Sequence, residues 1–429
     1  MIDNAGASGD SETRRIGSTR RGFLRTAGSC AAATWLAGAG PGRGRWGRLQ
    51  AADPMPGGAD DLIAGKDARL IVHNAKTAEI ETPLALLGEH EITPKNVLFV
   101  RSNQELAGTR TIKPSERAGW TIDFAGLVET PRTLAIDSLL ALEQTEVEMV
   151  LQCSGNGRAL FSKAAKVSGA PWQQGAMGNV RFRGPRLKAV LDALKLNVAP
   201  AADFLTAEGK DGPPKPEAAD FEHSVPLADA LARALIALEM NGEPISAAHG
   251  GPVRLVMPGY YGTMSIKWLT RLRLEDRETF NHHQRRRYRT PSEPIKQGSP
   301  FEYDFGNSDA NWRMRIKSVV FAPLDGETLA AGKTTVRGVA FNDGSARIEA
   351  VELSLDDGRT WRRARLETPA SPYAWHPWTA EVPIDRGTHR ILARAVDALG
   401  RTQPLDGSIG WNPAGYGWNG VQRVQINVS

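Results

Sequence analysis

Apolar residues along this chain come in short bursts divided by turn-forming residues. E-V-E-M-V-L-Q at residues 146–152 alternates and then closes up, which predicts a strand running straight into Cys153. V-L-F-V at 97–100 predicts a buried strand ending at Arg101, and V-R-L-V-M at 253–257 predicts another ending at Pro258-Gly259. Leu187, Val190, Leu191 and Leu194 recur at i, i+3, i+4 and i+7, the spacing of one helix face. Residues 130–142 also read as helical, with Leu134, Ser138 and Ala141 on one stripe, and Pro226 opens a further short helix. Residues 208–220 are a charged, proline-rich loop. Strands and helices interleaved in this way predict a mixed α+β first part.

The pattern changes after the basic run R-R-R-Y-R and a linker at 290–298. Strand patterns then recur at 336–341, 351–355 and 390–396, divided by turn residues such as Asn342-Asp343-Gly344 and Asp357-Gly358. This rhythm predicts an all-β immunoglobulin-like sandwich of about 115 residues, with Trp361 in its core, acting as a packing or dimerisation module. The expected bounds are a leader at 1–51, an α+β domain at 52–298 and the sandwich at 299–429.

Composition agrees with two domains and narrows the partners. A chain of 429 residues exceeds what one hydrophobic core usually serves, and 44 glycines with 27 prolines favour short strands and shaped loops over a helical bundle. The net charge of +5 suggests nucleic acid until its location is known. Residues 1–51 carry eight arginines against three acids, and the remainder holds 45 bases and 45 acids. A nucleic-acid partner is therefore not expected. T-R-R-G-F-L-R at 19–25, followed by the uncharged stretch 26–40, reads as a twin-arginine export signal built on Arg20-Arg21, which implies the periplasm. The uncharged stretch is too short to span a bilayer and no later segment reaches 18 apolar residues, so an integral membrane protein is not expected. Twin-arginine export carries folded proteins, which points to a cofactor inserted beforehand.

The only cysteines, Cys30 and Cys153, exclude a disulfide scaffold, a four-thiolate zinc site and a thiolate-bound iron–sulfur cluster. No C-x-x-C-H occurs, so no covalently attached haem is expected. Loss of the leader leaves Cys153 as a lone thiol at the head of C-S-G-N-G-R. Three fates are open to it: a buried structural cysteine, a soft ligand for a transition metal, or a nucleophile with His249 as base. Adjacent His282 and His283, placed on a strand, would point to opposite faces and make a poor metal pair. Arg285, Arg286 and Arg287 read as a solvated charge run with no catalytic role, able to draw in a dianion or dock an acidic redox partner.

Four segments in order carry a resemblance. F-V-R-S-N at 99–103, L-Q-C-S-G-N-G-R at 151–158, H-G-G-P-V-R at 249–254 and P-G-Y-Y-G-T-M-S-I-K-W-L at 258–269 resemble the sulfite oxidase family of molybdopterin enzymes, from about residue 65 to the W-N-P-A-G-Y segment near the C-terminus. The resemblance implies a molybdopterin-binding α+β domain in which Cys153 is the protein's thiolate ligand to molybdenum. It implies Arg101, Arg158 and Tyr288 at the substrate, and Asn103, His249, Arg254, Ser265 and Lys267 around the pterin and its phosphate. It further implies a periplasmic enzyme that oxidises sulfite to sulfate by oxygen-atom transfer at molybdenum and passes electrons to a separate c-type cytochrome, as a homodimer or in complex with a haem subunit. The alternative substrate is sulfane sulfur or another oxyanion. From other classes, a thiol hydrolase or a secreted binding protein would need no metal. The chain departs from animal members at Ala414, where W-N-x-R-G has arginine, and in its acidic loop, where Glu208 or Asp211 is the nearest match to their aspartate. It also lacks their N-terminal haem domain.

Overall fold

A computed structural model describes residues 65–429 apart from residue 76 and segments 105–113 and 214–217. The expected leader, with Arg20, Arg21 and Cys30, lies outside the described residues.

The strand Thr145–Gln152 forms as its alternation predicts. It pairs antiparallel with Met177–Gly184, and the short strands Glu239–Met240 and Glu243–Pro244 complete a four-stranded sheet. Period-two geometry sends its side chains to two different cores. Met149 and Leu151 join Phe99, Trp172 and Phe182 on one face, while Val150 packs with Met177, Val319, Phe321 and Trp375 on the other. Both faces of this strand are thus buried, and it cannot tilt without disturbing either core.

A second sheet runs Arg132–Ala135, Thr121–Gly126, Leu269–Glu275, Phe204–Gly209, Glu222–Pro226. Thr121–Gly126 is parallel to Leu269–Glu275, and the other pairs are antiparallel. The predicted helices Leu187–Ala193 and Leu227–Arg233 form, and Leu187, Val190, Leu191 and Leu227 enter the core with Phe124 and Leu272. Four sequence expectations are corrected. Residues 97–100 are buried but form no continuous strand: Val97 and Leu98 amides both return to Pro94 O at 2.9 and 2.8 Å in a turn, and Val100 alone pairs, as an antiparallel bridge with Ile80. Residues 130–142 divide into the strand Arg132–Ala135 and the 3-10 helix Ile136–Ala141, which buries Ile136 and Leu139 and leaves Ser138 and Ala141 exposed. His282 and His283 stand on the helix His282–Arg286, capped by the Asn281 side chain, not on a strand.

From Lys317 the chain builds two sheets. One is ordered Lys317–Ala322, Gly332–Phe341, His376–Ile384, Arg365–Leu366. The other is ordered Thr328–Leu329, Gln422–Val428, Gly387–Asp397, Ile348–Ser354, Arg362–Arg363. Val336, Trp378 and Val382 from the first pack against Val351, Ile391 and Val424 from the second, which makes a sandwich. The fourth correction is its core tryptophan. Trp378 is fully buried, whereas Trp361 sits half-exposed at the rim, with Arg394 lying 3.9 Å above its ring and its indole donating to Gly358 O.

These placements predict unequal costs. Trp378→Ala is expected to lower unfolding free energy by about 3–5 kcal/mol through the cavity it leaves. Trp361→Ala is expected to cost about 1 kcal/mol, the scale of an exposed cation–π contact. Urea titration of the two variants checks the order.

Candidate active site

Cys153 follows the strand Thr145–Gln152 directly. Its amide donates to Ala176 O at 2.9 Å, and its carbonyl accepts from Asn156 N at 3.0 Å, which closes the turn. The Asn156 side chain locks that turn, donating to Gln152 Oε1 at 3.0 Å and accepting from Ala176 N at 3.1 Å. Gly157 then takes φ of 94°, and a Cβ there would lie 2.6 Å from the Trp418 ring, so the motif needs glycine twice over. The thiol is free and half-buried.

Two cavities meet at this sulfur. The inner one, about 690 Å³, is lined by Arg101, Asn103, Cys153, Tyr288, His249, Arg254, Ser265 and Lys267. The outer one, about 1520 Å³, shares the first four of these and adds Arg158, Trp172, Arg287, Ala414 and Tyr416. Every residue expected at the site lies on one wall or the other, eight on the inner and Arg158 on the outer alone.

The inner wall is a cluster of buried and half-buried cations. Arg254 donates to Ser265 O and to His249 O, each at 3.0 Å. Lys267 donates to Ala248 O at 2.7 Å and to Ser102 Oγ at 3.2 Å. Gly250, at φ of 94°, brings these segments together, since a Cβ there would stand 2.6 Å from the Lys267 side chain. Behind them Lys66 donates to Leu98 O at 2.9 Å, and its Nζ lies 2.8 Å from His249 Nε2. Among the described residues none of these three cations has a carboxylate within ion-pair distance. Burial pulls Arg254 down to about 9 and Lys66 down to about 7. Lys267 and His249 fall well below their usual values, through burial first and then the neighbouring positive charges. Among the described residues Asp211 is the one acid on this wall, and burial pushes its carboxyl up to about 7. Of the two candidate acids in the acidic loop, Asp211 is the one on the inner wall. Glu208 faces Arg271 and Arg273 instead, at 3.1 and 3.2 Å.

The outer wall is also cationic. Arg158 is buried and held by carbonyls, its Nε donating to Ala414 O at 3.0 Å and its Nη1 to Ala170 O at 2.8 Å. Arg101 lies 3.3 Å from Glu79 and donates to Asn103 Oδ1 at 3.1 Å. The same oxygen accepts from the Tyr288 hydroxyl at 3.1 Å. Tyr288 sits at φ of 52°, a left-handed conformation costly for a bulky residue, and is held there by stacking on Tyr416 with centroids 5.0 Å apart. Burial raises its phenol well above the usual range.

These residues fit a molybdenum–pterin cofactor. A soft sulfur ligand lies at the seam, and an anion-seeking cluster lies on the inner wall, suited to a ligand with a metal at one end and a phosphate at the other. Cys153 would hold the metal, with Arg254 and Lys267 on the phosphate. His249 makes no hydrogen bond with Cys153, its Nε2 facing Lys66 and Lys95 O, so it is not placed as a base for a cysteine nucleophile.

Residues 109–283 match the family model of the oxidoreductase molybdopterin-binding domain, and residues 308–429 that of the Mo-co oxidoreductase dimerisation domain. Human mitochondrial sulfite oxidase is 31% identical over 390 residues, covering 89% of this chain and 69% of the human one. The chain belongs to the sulfite oxidase family. It is a sulfite oxidase-type molybdopterin oxidoreductase. Chicken sulfite oxidase is 32% identical, covering 84% of this chain and 79% of its own. Among solved structures, the sulfane dehydrogenase SoxCD from Paracoccus pantotrophus aligns with a TM-score of 0.67 at 27% identity, covering 82% of this chain and 86% of that one.

Sequence reasoning missed three contributors. Trp172 lines the outer cavity with its buried indole N–H unpartnered, and nothing in its P-W context marks it. Tyr416 was within reach, because W-N-P-A-G-Y already stood out as a motif. Lys66 lies at the very edge of the region of resemblance.

The uncompensated cations make a prediction about loading. Lys267→Met is expected to lower bound molybdenum and pterin by about tenfold, the scale of one lost charge-assisted contact, read by metal analysis and by pterin fluorescence after denaturation. Asp211 generates another. Its pKa is raised on folding, so its contribution is full below 3.8 and is lost as pH rises through about 7. Asp211→Asn is expected to remove that loss, seen as a difference from the parent in urea stability of cofactor-free protein across this window.

Proposed function

We propose that this chain is the catalytic subunit of a periplasmic sulfite dehydrogenase, oxidising sulfite to sulfate and passing electrons to a separate c-type cytochrome. The observation that carries this reading is the shared wall. Arg101, Asn103, Cys153 and Tyr288 border both cavities, so a metal on Cys153 would meet an anion gathered from the outer side. When bound, the cofactor supplies the transferable oxygen and takes up two electrons.

The chain's own residues do the rest. Arg158 and Arg101 present permanently charged, planar donor sets to an oxyanion, and their own hydrogen bonds hold them in place before substrate arrives. Tyr288 stays protonated because burial penalises the phenolate, so its hydroxyl acts as a hydrogen-bond donor rather than a base. Trp172 offers an indole N–H with no other partner. The human and chicken relatives, both sulfite oxidases, support the substrate. The Arg20-Arg21 segment supports export, and the match at 308–429 supports a homodimer built through the sandwich. The sheet order of that sandwich supports its reading as immunoglobulin-like.

A second reading has an observation in its favour. The outer cavity is walled in part by Ser168, Gly169, Ala170, Ala218, Ala219 and Ala414, leaving room for more than a small oxyanion. SoxCD is a sulfane dehydrogenase, and a larger sulfane substrate would use that room.

Expression in a cofactor-competent host, followed by metal analysis and assay of cytochrome c reduction, tests both readings. Stoichiometric molybdenum with sulfite-dependent reduction is the expected outcome. Arg101→Gln should raise the sulfite KM about tenfold with metal retained, as for loss of a charged hydrogen bond. Metal with turnover of sulfane sulfur but not sulfite selects the second reading, and protein free of metal overturns both.

A further inference from the structure

Of the three consecutive arginines after His282-His283, two are committed elsewhere. Arg285 grips Asp304 with Nε and Nη2 at 2.8 and 2.9 Å. Arg286 donates to Tyr303 O at 2.9 Å and lies 3.5 Å from the same Asp304. The helix His282–Arg286 then stops, and Arg287 is extended, with φ of −137° and ψ of 167°. That change of backbone separates its side chain from the two before it. Arg287 is exposed, lines the outer cavity, and has no carboxylate within ion-pair distance among the described residues.

The charges around that cavity do not match a dianion without it. Arg158 contributes one uncompensated positive charge, having only carbonyl partners. Arg101 contributes less than one, because Glu79 lies 3.3 Å away. Among the described residues no aspartate or glutamate lines the outer cavity, and Ala414 adds only a methyl group to its wall. The field of Arg287 already reaches this space, where it disfavours protonation of His283 and favours ionisation of Tyr416. We propose that Arg287 is a specificity-determining residue that, together with Arg158, gives the outer cavity the two full positive charges needed to bind a doubly charged oxyanion in preference to a singly charged one. This rests on the outer cavity being the substrate's. Because Arg287 is exposed, its effect is screened by salt, so it selects at the mouth rather than clamping the anion as Arg158 does.

Sulfate and nitrate serve as dianionic and monoanionic probes, titrated calorimetrically into cofactor-loaded protein at low ionic strength. Arg287→Gln is expected to weaken sulfate binding about tenfold while changing nitrate binding by less than about twofold, and Arg287→Lys should recover most of the loss. Arg286→Gln, which removes an equal charge one position earlier, should leave both unchanged. The inference is overturned if the parent does not bind sulfate, if Arg287→Gln leaves sulfate binding intact or weakens nitrate equally, or if Arg286→Gln reproduces its effect. Sulfate binding that depends on Arg287 in a protein unable to oxidise sulfite upholds this inference and removes only the assigned reaction.

Discussion

Arg254 and His249 are buried and Lys267 half-buried on the inner wall, with half-buried Lys66 behind them and, among the described residues, a single carboxylate, Asp211, on that wall. Unpaired buried charge costs several kcal/mol per ion, and a fold does not keep it without a return. The chain carries this cost in its unloaded state, and the depressed proton affinities of all four groups record it. A phosphate held by these residues would relieve the repulsion and favour their charged forms. Cofactor loading is therefore expected to stabilise the inner half of the molecule.

The opposite end of the cleft depends on packing rather than charge. Cys153 continues a strand whose two faces are buried in separate cores, one of them shared with the sandwich through Val319, Phe321 and Trp375. The sandwich side also contributes the tail that carries Ala414, whose carbonyl holds Arg158, and Tyr416, on which Tyr288 stacks. Removing the second domain would strip the outer cavity of these supports while leaving the inner cation cluster intact. Its role is thus partly that of a wall, whatever it contributes to assembly.

Much of this was legible in the sequence. Alternation gave the strand Thr145–Gln152 because both of its faces are apolar, and helical spacing gave Leu187–Ala193 because one face is. The reading failed where local turn bonds outweigh apolar content, as at 97–100, and where a strand and a 3-10 helix share one run, as at 130–142. Trp361 was misplaced since periodicity does not tell a rim position from a core one. The site residues named from the resemblance line the cleft, whereas Trp172 enters it, and Lys66 stands behind its inner wall, from segments without a pattern of their own. The choice between Glu208 and Asp211 needed geometry, because both are acids in one loop and only one faces inward.

The same limit explains the arginine run. As a string, R-R-R is a solvated patch, and two of its members behave so, sharing Asp304 at the surface. The third differs because the helix ends before it and Tyr288 follows in a left-handed conformation, a pair of backbone events that no composition rule contains. The Asn281 cap fixes where that helix begins, and the backbone change at its end turns the Tyr288 phenol to Asn103 while Arg287 lines the outer cavity.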